Sequence, residues 1–583
     1  MYSFFKIFFA SLLALVIFSI LAFFLLIGIL SSSSDKEITG NKAVLVLDLS
    51  VPFPEISVEN PLSGLGGNEQ YDVPAVYDVV RMINTAISDS AVKGIYIKCG
   101  TNSNGFGTSE EIRNALVKFK VSKKFIYAYA DVIGQGGYYV ANIADKIYCN
   151  PKGGLDWRGY SMNYFFLKGT LEKLEIEPQI FYAGKFKSAT EPLRETKMTE
   201  ANRLQSTVIL NDLYSHFLSK TSETRNIDTA TLHRYANENT IQTSQAAVDT
   251  KLIDGLKYDD EVKDEIRGLL KIDKADKINF VPIGKYAKSV NFKRGGKDRI
   301  VVIYAQGDIV DGKGDRDMIG GETYLNLVRK ARLDNTIKAI VVRVNSGGGS
   351  AMASENIWRE LALAKKEKPV VISFGDVAAS GGYYLSCNAD SIFAQPNTIT
   401  GSIGVFSILP NMQKFFNNKL GITFDGVKTA PDADALSVAK PLTESQRQWI
   451  QRDVDSIYGT FTGRVADGRK KSQVYIDSIG QGRIWSGKRA IELGLVDRIG
   501  GLDDAIACAA RMAKTTDYRL REFPEPESFL DRILGRSQTN TKMKAAIREE
   551  IGPEAFKTYE TIKRVKDMTG SVQARMPFEY TIQ

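Results

Sequence analysis

The stretch DVAASGGYY, Asp376–Tyr384, decides the fold because a related stretch, DVIGQGGYY, occupies Asp131–Tyr139 of the same chain. Both lie inside a longer match, in which residues 93–151 align with residues 338–396 without a gap. The two copies share an aspartate, a glycine pair and a tyrosine pair at identical spacing. A repeat of this length indicates one structural unit present twice.

The copies differ at the position before the glycine pair, where the first has Gln135 and the second has Ser380. A duplication that serves architecture alone would not require a hydroxyl in one copy only. A serine hydroxyl can act as a nucleophile when a base activates it, whereas a glutamine cannot. The asymmetry therefore favours a duplicated enzyme in which one copy has lost its nucleophile.

Short β-branched runs alternate with helical periods throughout both copies. Examples are the runs 43–49 and 94–97 in the first copy, and 300–304 and 339–342 in the second. A helix is expected over residues 354–366. Strands separated by helices predict an α/β fold with parallel strand pairing.

Composition shifts and the extent of the repeat divide the chain into five parts. These are an anchor (1–32), a linker (33–42), a first repeat domain (43–295), a second repeat domain (296–515) and a C-terminal tail (516–583). The tail has no counterpart in the first copy. Two roles are open for the tail: it covers an interface, or it forms an arm that contacts another subunit of an oligomer.

The amino terminus predicts a membrane segment. Residues 7–30 are almost entirely apolar, and a helix of that length spans a bilayer core of about 30 Å. The run is longer than that of a cleaved signal peptide and lacks a clear small-residue cleavage site, so an uncleaved single-pass anchor is expected. Lys6 precedes it, and the positive-inside rule then puts the bulk of the chain outside the cytoplasm. No later stretch is apolar enough to span again.

Charge and ligand residues exclude several classes of function. The net charge of +8 over 583 residues shows no basic cluster interleaved with aromatics, so nucleic-acid binding is not expected. With only two histidines and no C-x-x-C pair, a zinc site lacks ligands, and no cofactor is predicted. No phosphate-binding G-K-[ST] occurs. The cysteines are expected to be buried free thiols: Cys99, Cys149, Cys387 and Cys508.

The glycines around Ser380 suggest an oxyanion site. Ser380 is predicted at a turn between a buried strand and a helix, where free N–H groups favour negative charge. The Gly381 N–H could hold a developing oxyanion, and the loop Asn345–Ser350, with Gly348, resembles the other half of the site. The matching loop of the first copy, Gly100–Asn104, has no glycine run.

The base is harder to assign. His216 and His233 both lie in the first copy and are expected to be packed or surface helix residues. A Ser-Lys dyad is the alternative, and its lysine must lose its proton through burial or a nearby cation. The S-x-x-K pattern of Ser437–Lys440 would need a helix, which Pro441 disfavours.

Three motifs together resemble the signal peptide peptidase A family, in its long, tandem-repeat, membrane-anchored form that is often called protease IV. They are Ala379–Tyr384, Asn345–Ser350 and Thr400–Gly404, and the resemblance covers nearly the whole chain. It implies that the base lysine comes from the first repeat, in a G-x-(Y/F)-K-S-A-x-E-P pattern that Gly184–Pro192 matches at Lys187. Lys185, two residues away, is a second candidate expected on the same strand face.

The resemblance implies several further properties. Ser402 would orient the lysine, and both repeats would adopt the crotonase-like spiral shared with the caseinolytic protease. The protein would be a homotetramer with recessed sites, held in the bacterial inner membrane with its catalytic domains on the extracytoplasmic side. Its substrates would be signal-peptide remnants and other short hydrophobic peptides. One departure is Gly347, which stands where the family usually has proline.

Two functions from other classes stay open at this point. The repeats could form a membrane-anchored scaffold whose serine pocket only binds peptide termini. Acyl-CoA chemistry, which other crotonase-like proteins perform, would require acidic residues in the pocket and a cytosolic setting, and the anchor argues against it.

Overall fold

The computed structural model describes residues 2–31, 39–57, 73–287, 295–315, 317–525 and 570–576, together with positions 290, 550, 552, 581 and 582. Most of the predicted linker, residues 33–38, and the middle of the predicted tail, residues 526–569 apart from positions 550 and 552, lie outside the described residues.

The helices follow the apolar periods of the sequence. They are α1 Tyr2–Ser31, α2 Val76–Ser88, α3 Phe106–Phe119, α4 Gln135–Ala141, α5 Lys168–Lys173, α6 Glu191–Arg194, α7 Glu200–Arg225, α8 Thr229–Asn237, α9 Ser244–Asp249, α10 Asp259–Leu270, α11 Ile283–Tyr286, α12 Gly321–Leu333, α13 Ala351–Lys365, α14 Gly381–Ser386, α15 Glu444–Arg469, α16 Gln473–Ile479, α17 Gly487–Glu492 and α18 Leu502–Met512.

The strands coincide with the β-branched runs. They are β1 Ala43–Asp48, β2 Val92–Lys98, β3 Phe125–Ile133, β4 Lys146–Leu155, β5 Met162–Asn163, β6 Glu177–Ala183, β7 Gly255–Leu256, β8 Phe280–Pro282, β9 Asp298–Gln306, β10 Asp308–Val310, β11 Met318–Gly320, β12 Ile337–Ser346, β13 Gly348–Ser350, β14 Val370–Ala379, β15 Ser391–Ala394, β16 Ile399–Gly401, β17 Val405–Asn411, β18 Ile484–Ser486, β19 Arg498–Ile499, β20 Tyr518–Phe523, β21 Gln573–Arg575 and β22 Thr581–Ile582.

Each copy of the repeat builds its own central sheet. In the first copy the order is β7-β4-β3-β2-β1-β8, with every pair parallel. In the second copy the order is β18-β16-β14-β12-β9-β20, and β15 pairs with β14. Helices cover both faces of such sheets, which is why β12 and β14 are apolar along most of their length. The predicted α/β class, with two tandem repeats after one apolar helix, is confirmed.

A third sheet joins the copies and runs β11-β10-β13-β21-β17-β6. β6 belongs to the first copy and pairs antiparallel with β17 of the second. Residues 516–583 contribute β20 to the second central sheet and β21 to this joining sheet. β22 of the same segment pairs antiparallel with β5 of the first copy, so the segment described from sequence as a tail is built into the fold at three places. The boundaries drawn at residues 32, 42, 295 and 515 stay predictions.

The amino-terminal helix α1 is apolar and exposed along Phe4–Leu21. Within the described ranges it is the one helix long and apolar enough to cross a membrane.

Candidate active site

Ser380 lies at the turn between β14 and α14, as the sequence predicted. Its backbone has φ 55° and ψ −113°, a conformation that L-residues rarely adopt and that costs about 1–3 kcal/mol. The side chain is fully buried and makes no cap bond to its own helix. The strained turn therefore leaves the hydroxyl free to meet groups from other elements.

Ser402 is brought to Ser380 by strand register. β16 pairs in parallel with β14, and Gly401 is the partner of Ala379. The residues that follow these partners, Ser402 and Ser380, consequently leave the sheet side by side. The N–H of Ser380 donates to the carbonyl of Gly401 over 2.8 Å, which holds the two chain ends together.

Lys187 reaches the same place through the joining sheet. Ala183 at the end of β6 is the register partner of Val405 at the start of β17. Lys187 follows β6 by four residues and Ser402 precedes β17 by three. Gly482, with φ +77°, packs behind the lysine, and a Cβ there would lie 2.7 Å from the Lys187 Cα. Glycine at 482 thus permits the close approach of the two chains.

These elements put three oxygen atoms around one amine. Lys187 Nζ lies 2.9 Å from Ser380 Oγ and 3.1 Å from both the hydroxyl and the carbonyl oxygen of Ser402. The Lys187 side chain is 1% exposed, and burial lowers its pKa well below the ordinary value of 10.5. No carboxylate forms an ion pair with this amine within the described part of the chain. A neutral amine so placed can accept a proton from the Ser380 hydroxyl.

The two predicted oxyanion glycines lie against each other. Gly348 has φ +97°, and a Cβ built on it would lie 2.7 Å from the amide nitrogen of Gly381. In this structure the Gly348 N–H donates to Ser346 Oγ over 3.1 Å. Ser346 in turn donates to the carbonyl of Gly307 over 2.6 Å. The geometry places both glycines beside Ser380, with the Gly348 amide already paired.

In the first copy, Gln135 occupies the position that corresponds to Ser380, and hydrogen bonds hold its side chain in place. Its side-chain oxygen accepts from the N–H groups of Arg158 and Gly159 over 3.1 and 3.0 Å, and its amide donates to the Gly159 carbonyl over 2.9 Å. Gln135 is 6% exposed. The side chain therefore ties two loops together where the second copy has a hydroxyl.

The other lysine and serine candidates lie elsewhere. The expectation that Lys185 shares a strand face with Lys187 is wrong, because β6 ends at Ala183 and Lys185 is exposed in the following turn. Its amine lies 5.2 Å from the Phe186 ring. Lys440 pairs with Asp434 over 2.5 Å rather than with Ser437, and the segment is not helical.

The histidines and cysteines take no part in this site. His216, on α7, lies 2.9 Å from Glu110 and 3.1 Å from the Tyr139 hydroxyl. His233 lies 2.9 Å from the Asn237 amide on α8. All four cysteines are buried and free. Among the described residues no group of three or more His, Cys, Asp or Glu side chains could hold a metal ion.

Sequence reasoning missed three contributors to the site. Gly482 packs behind the lysine, Ser346 holds the Gly348 amide, and Ala574 from β21 lies against Gly348 and Gly381. Ser346 lies inside the motif Asn345–Ser350, so the sequence does carry a signal for its hydroxyl. Ala574 carries no sequence signal, because residues 570–576 match neither repeat.

This chain matches a family model, two relatives of known name and a solved structure. The family model for peptidase family S49 matches twice, at residues 118–273 and 362–516. Protease 4 of Salmonella typhi is 34% identical, over 88% of this chain and 86% of its own length. Protease 4 of Haemophilus influenzae is 32% identical, over 86% and 84%. Among solved structures, a ClpP1 mutant from Listeria monocytogenes matches 35% of this chain and 94% of its own, with 15% identity and a TM-score of 0.24.

Proposed function

Because this chain belongs to peptidase family S49 and is a serine protease, we propose that Ser380 is its nucleophile and Lys187 its general base. The observation that carries the proposal is the 2.9 Å separation between the Lys187 amine and the Ser380 hydroxyl, with both groups buried. Each repeat then supplies one half of the dyad, which gives a reason for keeping both.

The proposed reaction uses this arrangement of the amine and the two hydroxyl groups. Neutral Lys187 accepts the hydroxyl proton while Ser380 Oγ attacks the scissile carbonyl, so the amine becomes charged as the acyl C–O bond forms. Ser402 offers two oxygen atoms at 3.1 Å, which orient the amine and stabilise its ammonium form. The proton then passes to the leaving amine. A water molecule, deprotonated by the same lysine, hydrolyses the acyl-enzyme.

Backbone N–H groups of Gly381 and Gly348 would stabilise the tetrahedral oxyanion. Gly381 opens α14, where the first amides of a helix lack partners of their own. The Gly348 amide would exchange the Ser346 hydroxyl for the charged oxygen, a stronger acceptor.

We further propose the setting in which this peptidase acts. The apolar helix α1 would anchor it in the inner membrane as a single-pass protein, with the repeats on the extracytoplasmic side. Cleaved signal peptides and other short hydrophobic peptides would then be the substrates within reach. A homotetramer with recessed sites would exclude folded proteins.

A fluorophosphonate probe tests the dyad, because it reacts covalently with activated serines. We expect labelling of the native protein, none in Ser380→Ala, and a loss of about 10³-fold or more in Lys187→Ala. Lys185→Ala is the matched control and should label like the native protein, since its side chain is exposed. Absence of labelling in the native protein would favour the scaffold function instead.

A further inference from the structure

The first copy contains a cavity at the position that the candidate active site occupies in the second copy. The cavity has a volume of about 820 Å³, and its walls include residues 100–106 and 134–137. In the ungapped repeat these segments correspond to residues 345–351 and 379–382, and Ser380 lies in the latter. The first copy has therefore kept a cleft at this position, although it has no nucleophile there.

The two clefts differ in the chain segments that border them. In the second copy, β21 pairs antiparallel with residues 348–350. The corresponding residues 103–105 line the cavity of the first copy, and no strand of the described chain pairs with them. The N–H groups of Ser103 and Asn104 already donate to other groups of the first copy. The cavity therefore has room for an extended chain, which side chains rather than a full backbone ladder would recognise.

Apolar side chains from both copies line this cavity. Phe106 and Tyr160 pack edge to face, with their ring centroids 5.7 Å apart. Val132 is 59% exposed, so a ligand that covers it would remove apolar surface from water. The apolar lining residues include Phe106, Val132 and Tyr160 from the first copy and Val377, Ile399 and Met576 from the second. Such walls favour apolar side chains in the ligand.

The charged groups of the lining are both acidic. They are Asp156 and Asp376, and no lysine, arginine or histidine is among the described residues that line the cavity. The carboxylate of Asp376 lies against the loop, because a Cβ built on Gly105 would be 2.4 Å from one of its oxygen atoms. Asp376 accepts from the N–H and hydroxyl of Thr108, but no cation of the described chain pairs with it. Asp156 pairs with Arg158, which is 81% exposed. The lining therefore favours a cation next to apolar groups.

We propose that this cleft is a non-catalytic binding site for peptides in which a lysine, an arginine or a free amino terminus precedes apolar residues. The cation pairs with Asp376 and Asp156, and the apolar side chains lie against the walls. Signal peptides have this order of residues, so the inference deepens the proposed function and rests on it only for the source of the peptide. Val377 precedes Ser380 by three residues of chain, which is about 10 Å in an extended strand. A peptide held here therefore has its remainder close to the nucleophile, at a raised effective concentration.

Peptide binding to the full chain tests the proposal, in a Ser380→Ala background that prevents turnover. The probe is a synthetic peptide with lysines at its amino end, alternating leucine and alanine after them, and a dye at its carboxyl end. At Gly136, which lines the cavity, an added Cβ would meet nothing closer than Asn102 Cβ at 3.5 Å, so Gly136→Trp can fit. Its indole fills part of the cavity and should weaken binding about 10-fold or more in fluorescence anisotropy. Gly268→Trp, at an exposed helical glycine outside the cavity where an added Cβ meets no atom within 4 Å, should bind the probe like the parent. Equal affinity in the two variants, or no binding to the parent, would overturn the proposal.

A second pair of variants tests the charge preference through exposed side chains, whose replacement does not disturb the core. Val132→Lys puts a cation into the cavity and should weaken binding of the same probe about 10-fold or more. Val121→Lys, at a position that is 80% exposed and outside the cavity, should leave the affinity unchanged. If both variants bind like the parent, or if a probe with glutamates in place of its lysines binds as tightly, the site does not select a cation and the proposal is wrong. Failure of the proposed function has a different sign, which is absence of fluorophosphonate labelling in the native protein while the probe still binds.

Discussion

The amine of Lys187 meets oxygen atoms on three sides and almost no water. Ser380 and Ser402 provide these oxygens, and burial lowers the pKa of the amine without help from a neighbouring cation. A lysine kept neutral in this way is poised to act as a base, but it also costs folding free energy, because the unfolded chain binds the proton that the folded chain releases.

This cost predicts the effect of Lys187→Met on stability. Between the lowered pKa of the folded state and the ordinary value of 10.5, the unfolded state binds more protons, so native stability rises with pH. Methionine has a similar shape and no proton to lose. We expect the variant to have the higher Tm near pH 7, with the difference narrowing as the pH approaches 10.5. A Tm difference that is constant with pH would contradict this explanation.

The same titration sets the direction of the pH–activity profile of the native enzyme. The neutral amine is the active form, so kcat/KM on a short peptide should fall as the pH drops through the lowered pKa of Lys187. Catalysis that persists unchanged down to pH 4 would mean that this amine is not the base.

Neighbouring glycines offer a matched pair of substitutions. At Gly348 an added methyl group would meet the Ala574 carbonyl at 2.1 Å and the Gly381 amide at 2.7 Å, and φ is +97°. At Gly347 the nearest atom, Met576 Cβ, is 3.9 Å away. Gly348→Ala should lower kcat/KM by about 10²-fold or more through loss of oxyanion geometry, and Gly347→Ala by less than about 3-fold. Similar losses in both variants would contradict the assignment of Gly348.

At the scale of elements, the two copies are joined by a shared sheet and by hydrogen bonds between side chain and backbone. β6 of the first copy extends a sheet of the second, and Asp376, four residues before Ser380, accepts from the N–H and hydroxyl of Thr108 near the start of α3. The same segments that carry Lys187 and Ser380 therefore carry the contacts between the copies. The site and the interface depend on one arrangement of strands.

A buried ion cluster adds to this interface. Arg343 on β12 is fully buried and lies 2.9 Å from Glu55 and 2.7 Å from Glu111, both in the first copy. Burial raises the pKa of Glu111 to about 7. Arg343→Met would leave both carboxylates buried without a cation and should lower the free energy of unfolding by about 3–5 kcal/mol.

Chemical denaturation measures that effect, and Arg158→Met is its control. Arg158 is 81% exposed and pairs with Asp156 over 3.0 Å. Loss of this surface pair should cost at most about 1 kcal/mol. If the two variants are equally stable, the Arg343 cluster does not hold the copies together.

For the whole molecule, the proposal of membrane anchoring depends on α1. Phe4–Leu21 is apolar, and no part of this stretch is buried against the rest of the described chain. We expect the full chain to stay in the membrane pellet after alkaline carbonate extraction, and a chain that begins at residue 39 to be soluble. Release of the full chain by carbonate would contradict single-pass anchoring.

The repeat and its unequal serine were sufficient to predict an α/β fold, Ser380 and the neighbouring glycines, because these depend on local patterns: β-branched runs, glycines at a turn, and a hydroxyl in one copy. Lys187 was identified by resemblance to a family motif, since no local pattern distinguishes it from Lys185. Its contact with Ser380 spans 193 positions and depends on the register of β6 against β17. β21 likewise depends on long-range pairing, because residues 570–576 pair with both β13 and β17. Local sequence therefore identified the candidate residues, whereas long-range strand pairing decided which of them meet, because backbone hydrogen bonds between distant strands carry no residue-specific signal.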